Sequence, residues 1–193
     1  MLVKKLFVAS CLFLLSGCLS TIDSTHLQTP TPVPDDAAYT KIYDESSQKF
    51  DFIDKFVTKY KVHITQLNTT FRQALANRYE KVFFEPQPLL AEASQKTAYF
   101  VTIYSSDRHL EDMADQRIWS VQLRTGTSVL KPSAITRVQP KERWQVFFPD
   151  INIWSSEYLL LFDQAPAANQ PDALNAVSEL ILASPTGSIT TRW

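Results

Sequence analysis

The sequence predicts an α+β fold in which a long N-terminal amphipathic helix, kinked along its length, packs on or projects from a C-terminal antiparallel β-sandwich. Two observations lead to this fold class. Apolar residues recur at steps of three and four over residues 37–84, which is typical of one face of a helix. Short segments rich in β-branched and aromatic residues, separated by turn sequences, follow within residues 85–193.

The predicted helix begins after Asp35 or Asp36, either of which can cap it, and ends before Pro86. A straight helix over residues 37–84 would be about 72 Å long, far more than the ~15 Å radius of gyration of a compact body of this size. We therefore expect a kink within residues 62–70, and the helix either packs on its own sheet or serves as an interaction arm. The apolar stripe that predicts it is Phe50, Ile53, Val57, Tyr60, Ile64, Leu67, Phe71 and Ala74.

The predicted strands are short and end at turn sequences, of which Thr125-Gly126 and Pro185-Thr186-Gly187 are typical of hairpins. Seven or eight strands in this length fit a β-sandwich, and an immunoglobulin-like sandwich is one such arrangement. The predicted ranges are 99–104, 117–123, 128–130, 134–138, 143–148, 157–162, 176–183 and 188–193.

Composition excludes several classes of protein. The chain has 193 residues, a net charge of −1 and 12% aromatic residues, so it can form a hydrophobic core and is not a disordered chain. A nucleic-acid-binding protein usually carries a basic excess, which this chain lacks. Only three glycines are present, which leaves almost nothing for a phosphate-binding loop.

The N-terminus has the pattern of a secretion signal. Lys4 and Lys5 precede a ten-residue apolar run, Leu6 to Leu15, that is too short to span a membrane. The following Leu15-Ser16-Gly17-Cys18 resembles the lipobox of bacterial lipoproteins. The resemblance implies cleavage between Gly17 and Cys18, a diacylglyceryl group on the Cys18 sulfur and an acyl group on its amine.

Two alternatives to this assignment stay open. Val8-Ala9-Ser10-Cys11 also fits the lipobox pattern, although it leaves only a short apolar run before the cut. An uncleaved apolar anchor with an incidental cysteine is the other.

Processing at Cys18 determines the organisation of the predicted mature chain. Removal of residues 1–17 leaves 176 residues with a net charge of −3 and no free thiol, which excludes disulfides and thiol catalysis. Residues 18–36 comprise the lipidated cysteine and a Pro- and Thr-rich tether, which spans about 24 Å as a coil and about 55 Å if extended. Because Leu19 rather than Asp follows Cys18, lipoprotein sorting implies the periplasmic face of the outer membrane. In a bacterium with one membrane, it implies the outer face of that membrane.

No residue pattern predicts a catalytic site, and we expect no cofactor beyond the covalent lipid. His26, His63 and His109 lie in the tether, the predicted helix and a loop, and do not form one site. We predict no metal site either, because the acidic loop lacks the spacing of a calcium loop. The weak candidate ligands are its four carboxylates, Asp107, Glu111, Asp112 and Asp115.

The sequence predicts no defined binding site, and Trp154 is a weak candidate for a binding residue. It follows Trp144, Val146 and Phe148, whose alternation is typical of a buried strand face, whereas Trp154 falls in a predicted loop. We therefore expect most of these aromatic residues in the core and Trp154 at the surface.

These observations favour a membrane-anchored, non-catalytic binding or assembly component of the cell envelope. Its expected partners are the membrane, through the lipid, and a protein of the envelope, but not nucleic acid. A carrier of small molecules or lipids and a hydrolase of envelope polymers are the alternatives. The carrier requires an apolar cavity between helix and sheet, and the hydrolase a cleft holding a titratable group with a perturbed pKa.

Overall fold

The computed structural model describes Val33, residues 35–163 and residues 178–193. The predicted signal segment, the lipobox with Cys18, and nearly all of the tether, including His26, lie outside the described residues. The helices are α1 (Ala37–Glu45), α2 (Thr69–Phe83) and α3 (Leu89–Ala93). The strands are β1 (Ser47–Asp54), β2 (Val57–Gln66), β3 (Thr97–Ser105), β4 (Ser120–Thr125), β5 (Ser128–Leu130), β6 (Ala134–Arg137), β7 (Ser156–Phe162), β8 (Ser178–Ser184) and β9 (Gly187–Arg192).

The strands form two antiparallel sheets. Sheet A has the order β1-β2-β3-β7-β6, and sheet B has the order β5-β4-β8-β9. A buried cluster joins Tyr60, Val101 and Leu160 of sheet A to Leu123 and Leu182 of sheet B. The α+β class with a sheet-rich core is therefore confirmed.

The second face of sheet A is partly covered by helices. Its residues Phe100, Leu159 and Leu161 form a buried cluster with Phe71 of α2 and Tyr43 of α1.

Two of the predictions about helix ends can be compared with this structure. Asp36 caps α1, because its Oδ1 accepts from the Tyr39 amide at 3.0 Å, and α2 ends at Phe83, before the two prolines.

The single helix predicted over residues 37–84 is wrong. Its two ends are α1 and α2, but its middle is the hairpin of β1 and β2, and β2 pairs with β3 of the predicted sandwich. Tyr60 and Ile64, four residues apart, fit one face of a helix and also one face of a strand. In the structure they lie on a strand, with Val62 buried between them. The residues between these three are polar, and the segment is rich in β-branched side chains, which favour a strand.

The strand predicted over residues 143–148 is also wrong. Lys141–Arg143 form a 3₁₀ turn, and successive turns continue to residue 147. The expected burial is nevertheless confirmed, because Trp144 and Phe148 lie in the core. The other predicted strands match β3 to β9 within a few residues, and Gly126, at φ +57°, forms the turn between β4 and β5.

The turn of the first hairpin is strained, which leads to a prediction about stability. Lys55 and Phe56 adopt φ values of 49° and 64° between the paired residues Asp54 and Val57, as in a type I′ turn, and Phe56 is fully exposed. Asn-Gly suits this turn, so replacing Lys55-Phe56 by Asn-Gly should raise the free energy of unfolding by about 1–2 kcal/mol. Urea denaturation measures the change.

The control for this prediction keeps the strain and removes only the ring. Phe56→Ala should change stability by less than about 0.5 kcal/mol, because the ring is in solvent. Unchanged or lower stability of the Asn-Gly variant would contradict the prediction.

Candidate functional site

The helix-facing side of sheet A changes from apolar to polar along its length. In β3, Ala98 and Phe100 lie under the helices, whereas Thr102 and Tyr104 continue the same face beyond them. The neighbouring strand β2 places His63 beside Thr102 and Lys61 beside Tyr104. A polar sheet face is therefore left at the end that the helices do not cover.

A groove of about 850 Å³ lies at this uncovered end, within the ~300–1,000 Å³ range of small-ligand sites. It is lined by these β2 and β3 residues, by the segment after β3 with Arg108 and Glu111, and by residues of the segment 150–156. Arg137 at the end of β6 and Lys141 of the 3₁₀ turn complete the basic part of the lining. The groove contains four Lys or Arg side chains but only two acidic ones, whereas the whole chain has a net charge of −1.

Asp150 connects the groove to the helices and to β1. The Tyr43 hydroxyl of α1 donates to its Oδ2 at 2.6 Å, and the Lys49 ammonium of β1 donates to its Oδ1 at 2.9 Å. His63 Nδ1 lies 2.9 Å from the same Oδ1, close enough for an ion contact but not aligned for a hydrogen bond. One carboxylate thus holds three elements of the chain in place.

The pKa values of this cluster follow from burial and from these contacts. Burial alone would raise the pKa of Asp150, but the contacts from His63, Tyr43 and Lys49 outweigh it and hold that pKa below its usual range. Burial, together with the Asp150 carboxylate, raises the pKa of the Tyr43 hydroxyl. At neutral pH Asp150 is therefore an anion and Tyr43 a neutral donor.

The segment that carries Trp154 is held rigidly. The Lys141 ammonium donates to the carbonyls of Asn152, Ile153 and Ser155 at 3.0, 2.8 and 3.2 Å. The Trp154 amide donates to Asn152 Oδ1 at 2.9 Å. Trp154 is 65% exposed and Ile153 is 70% exposed, so two apolar side chains are presented to solvent beside the groove. The expected exposure of Trp154 is confirmed.

Glu157 is a buried carboxyl group on the same face of sheet A. It is 2% exposed, pairs with Thr102 across the strands, and its Oε1 accepts from the Ser155 hydroxyl at 2.5 Å. Burial raises its pKa, although the Ser155 hydrogen bond and the charges of Lys141 and Arg137 act in the opposite direction. The ionised form of Glu157 is therefore less favourable in the folded chain than in the unfolded one.

This raised pKa predicts the pH dependence of a Glu157→Gln variant. A group whose pKa rises on folding favours the folded state below its unfolded pKa of ~4.3, and this contribution is lost as the pH rises through the folded pKa. Glu157→Gln removes the buried charge, so at pH 7 its melting temperature should exceed that of the unmodified chain by about 2–4 °C, or ~1 kcal/mol. The difference should disappear near pH 4 in thermal melts.

Glu80→Gln, at an exposed position of α2, is the matched control and should change stability by less than about 0.5 kcal/mol at either pH. A Glu157→Gln variant less stable than the parent at pH 7 would show that the carboxylate is favourably paired.

The four carboxylates of the acidic loop do not converge. Asp107 Oδ1 accepts from the His109 amide at 3.0 Å, and Asp112 Oδ1 from the Ala114 amide at 3.1 Å, so each caps its own turn. Arg117 donates to Asp115 at 2.6 Å and lowers the pKa of that carboxyl to about 2. Glu111 lines the groove instead. Within residues 35–163 and 178–193, no cluster of three metal-ligating side chains is present.

Sequence reasoning placed His63 on a helix and assigned no binding role to Asp150, Arg108, Arg137 or Lys141. The sequence signal for this site is the change along β3 from Ala98 and Phe100 to Thr102 and Tyr104. When one face of a strand becomes polar and the other stays apolar, the polar residues lie beyond the edge of the hydrophobic core on that face. His109 lies in a short 3₁₀ turn that belongs to the acidic loop.

Comparison of the chain with protein-family models, with curated proteins and with solved structures finds no match. The helices among the described residues are all too short or too polar to cross a bilayer.

Proposed function

We propose that the chain is a lipid-anchored, non-catalytic binding or assembly component of the bacterial cell envelope, and that it holds its ligand in the groove at the polar end of sheet A. The observation that carries this proposal is the exposure of Trp154 and Ile153, on a backbone held by hydrogen bonds, beside a polar, net-basic sheet face. A backbone that is ordered before binding loses little entropy when a ligand arrives, which favours recognition.

The anchor in this proposal rests on the lipobox at Leu15-Ser16-Gly17-Cys18. Two or three acyl chains on Cys18 hold a protein at a membrane essentially permanently, since each buried methylene contributes about 0.8 kcal/mol. The tether of residues 18–36 allows the folded body to stand away from the bilayer, on the periplasmic face of the outer membrane, where a protein partner can reach the groove.

A binding role agrees with the chemistry of the titratable groups in the groove. The Asp150 carboxylate is engaged by Tyr43, Lys49 and His63, which makes it a structural group rather than an available acid or base.

The carrier alternative needs empty space between helix and sheet. In that layer the rings of Phe100 and Phe148 stack with their centroids 3.7 Å apart.

A photo-crosslinking amino acid in place of Ile153, in the full chain expressed in its own host, tests the proposal. Position 129 in sheet B is the matched control, because Val129 is also exposed but lies away from the groove. We expect a discrete covalent adduct from position 153, none from position 129, and loss of the adduct when Cys18→Ala releases the chain from the membrane. Equal labelling from both positions, or none from either, would refute the proposal.

A further inference from the structure

Not all basic groups of the groove are equally available to a ligand. All three donors of the Lys141 ammonium are used by backbone carbonyls. The Lys61 ammonium lies 3.4 Å from Asp51, in a half-exposed pair. The Arg108 side chain, in contrast, makes no hydrogen bond or ion pair with any described residue, and Arg137 uses one nitrogen, which donates to Ser156 Oγ at 3.0 Å. Two guanidinium groups therefore retain donors for a ligand.

The acidic groups in the lining do not neutralise these two arginines. Asp150 is already surrounded by Tyr43, Lys49 and His63, and its pKa is held below the usual range by them. Glu111, the remaining acidic residue of the lining, forms no ion pair with either arginine among the described residues. The buried Glu157 lies near enough to Arg137 for their charges to interact. The four Lys and Arg side chains of the lining still outnumber these three carboxyl groups, so a carboxylate ligand can gain charge-assisted, bidentate hydrogen bonds from Arg.

The apolar part of the groove indicates what else the ligand carries. Ile153 and Trp154 are adjacent and exposed, and together they provide an apolar surface that an apolar side chain of a ligand can contact. Trp and Arg are also the residues that contribute most to binding energy at protein interfaces. The Ser, Thr and Asn side chains of the lining supply polar groups that can pair with a peptide backbone.

From these features we infer that the groove binds an acidic peptide segment of an envelope protein, with carboxylates at Arg108 and Arg137 and an apolar side chain against Ile153 and Trp154. This inference rests on the proposed function and names the partner's chemistry at that site. Electrostatic complementarity of this kind accelerates association and makes binding sensitive to salt.

Binding to a peptide library tests the inference with the full mature chain in detergent. The probe is a library of dodecamers composed of Asp and Glu around two central positions occupied by Leu, Phe or Trp. The matched library replaces Asp and Glu by Asn and Gln. We expect at least tenfold stronger retention of the acidic library, and a severalfold loss of that preference between about 50 mM and 300 mM salt.

Variants assign the binding to the groove. Arg108→Gln combined with Arg137→Gln should reduce affinity for the best acidic peptide at least tenfold, and Trp154→Ala should reduce it several-fold. Arg192→Gln, which removes an exposed arginine of sheet B, is the matched control and should leave affinity unchanged. Thermal melts establish that each variant is folded.

Three outcomes would overturn the inference. They are equal retention of the two libraries, acidic binding unaffected by the double arginine variant, and stronger binding of an oligogalacturonate hexamer than of any acidic peptide. The last would indicate an anionic saccharide as ligand. If any of these results is accompanied by a crosslinked adduct at position 153, the inference of an acidic peptide ligand is refuted, whereas the proposed binding function is retained.

Discussion

Replacing Phe148 by Ala is expected to lower the free energy of unfolding by about 3–5 kcal/mol, the range for removing a large side chain from a packed core. Phe148 is 1% exposed, and its ring stacks on Phe100 of β3. It also contacts the rings of Tyr43 and Phe71, at centroid distances of 6.2 and 5.9 Å. The variant removes the side chain at which both helices, sheet A and the turns after residue 141 meet.

Urea denaturation of the full chain measures this loss, and two variants calibrate it. Phe148→Leu keeps most of the apolar volume and should cost about 1–1.5 kcal/mol. Phe56→Ala removes an exposed ring of the same kind and should cost almost nothing. A loss below about 1 kcal/mol in Phe148→Ala would mean that the helical layer is not packed on sheet A as described.

The same substitution links the core to the groove. Phe148 is two residues from Asp150, and the Tyr39 hydroxyl of α1 donates to the carbonyl of the preceding residue, Phe147, at 2.8 Å. Groove residues at 150–156 therefore follow directly from a segment fixed by core packing. The positions of the groove residues therefore depend on the helical layer, although none of α1, α2 and α3 contributes a residue to the lining.

Strands after residue 97 could be predicted because their signals are local. Alternation in residues 99–104 and the glycine at 126 are visible within a few residues of sequence. The first hairpin was missed although β2 alternates, because its turn residues, Lys55 and Phe56, are neither Gly nor Asn and so give no signal that separates two strands. The strand β2 also depends on pairing with β3, which lies far along the chain.

The residues after 141 illustrate the difference between burial and conformation. Trp144 and Phe148 were expected in the core because they are large and apolar, and they are buried. Their spacing of four fits the turns observed as well as the alternation of a strand, so spacing alone could not decide between them.

The candidate site was less predictable than the fold. The exposure of Trp154 could be predicted because the residue lies in a loop sequence, and this prediction needed no knowledge of which residues it contacts. The Asp150 cluster brings together groups as far apart as Tyr43, which is 107 residues away in sequence, and no local pattern joins them. The acidic loop, in contrast, attracted attention through local density, yet its side chains Asp107 and Asp112 cap their own turns.

Replacing Asp150 by Asn should destabilise the fold at pH 7 by about 1–3 kcal/mol, since charge-assisted hydrogen bonds in a half-buried site are lost. Asn has the same shape but no charge, so Lys49 and His63 lose the anion between them. Tyr43→Phe, which deletes one donor and leaves the charge, should cost about 0.5–1.5 kcal/mol. Asp163→Asn, at an exposed pair with Lys96, is the matched control and should cost at most ~0.5 kcal/mol.

The pH dependence of this variant distinguishes an electrostatic role from simple packing. A carboxyl group whose pKa falls on folding stabilises the fold above its unfolded pKa of ~3.9, and that contribution is lost as the pH falls through the folded pKa. The stability difference between the parent chain and Asp150→Asn should therefore be constant near neutral pH and shrink below about pH 4. Urea titrations at pH 7 and pH 3 measure this difference. A packing defect would give the same difference at both pH values. That result would exclude the charged form of Asp150 as the group that joins α1, β1 and β2 to the groove.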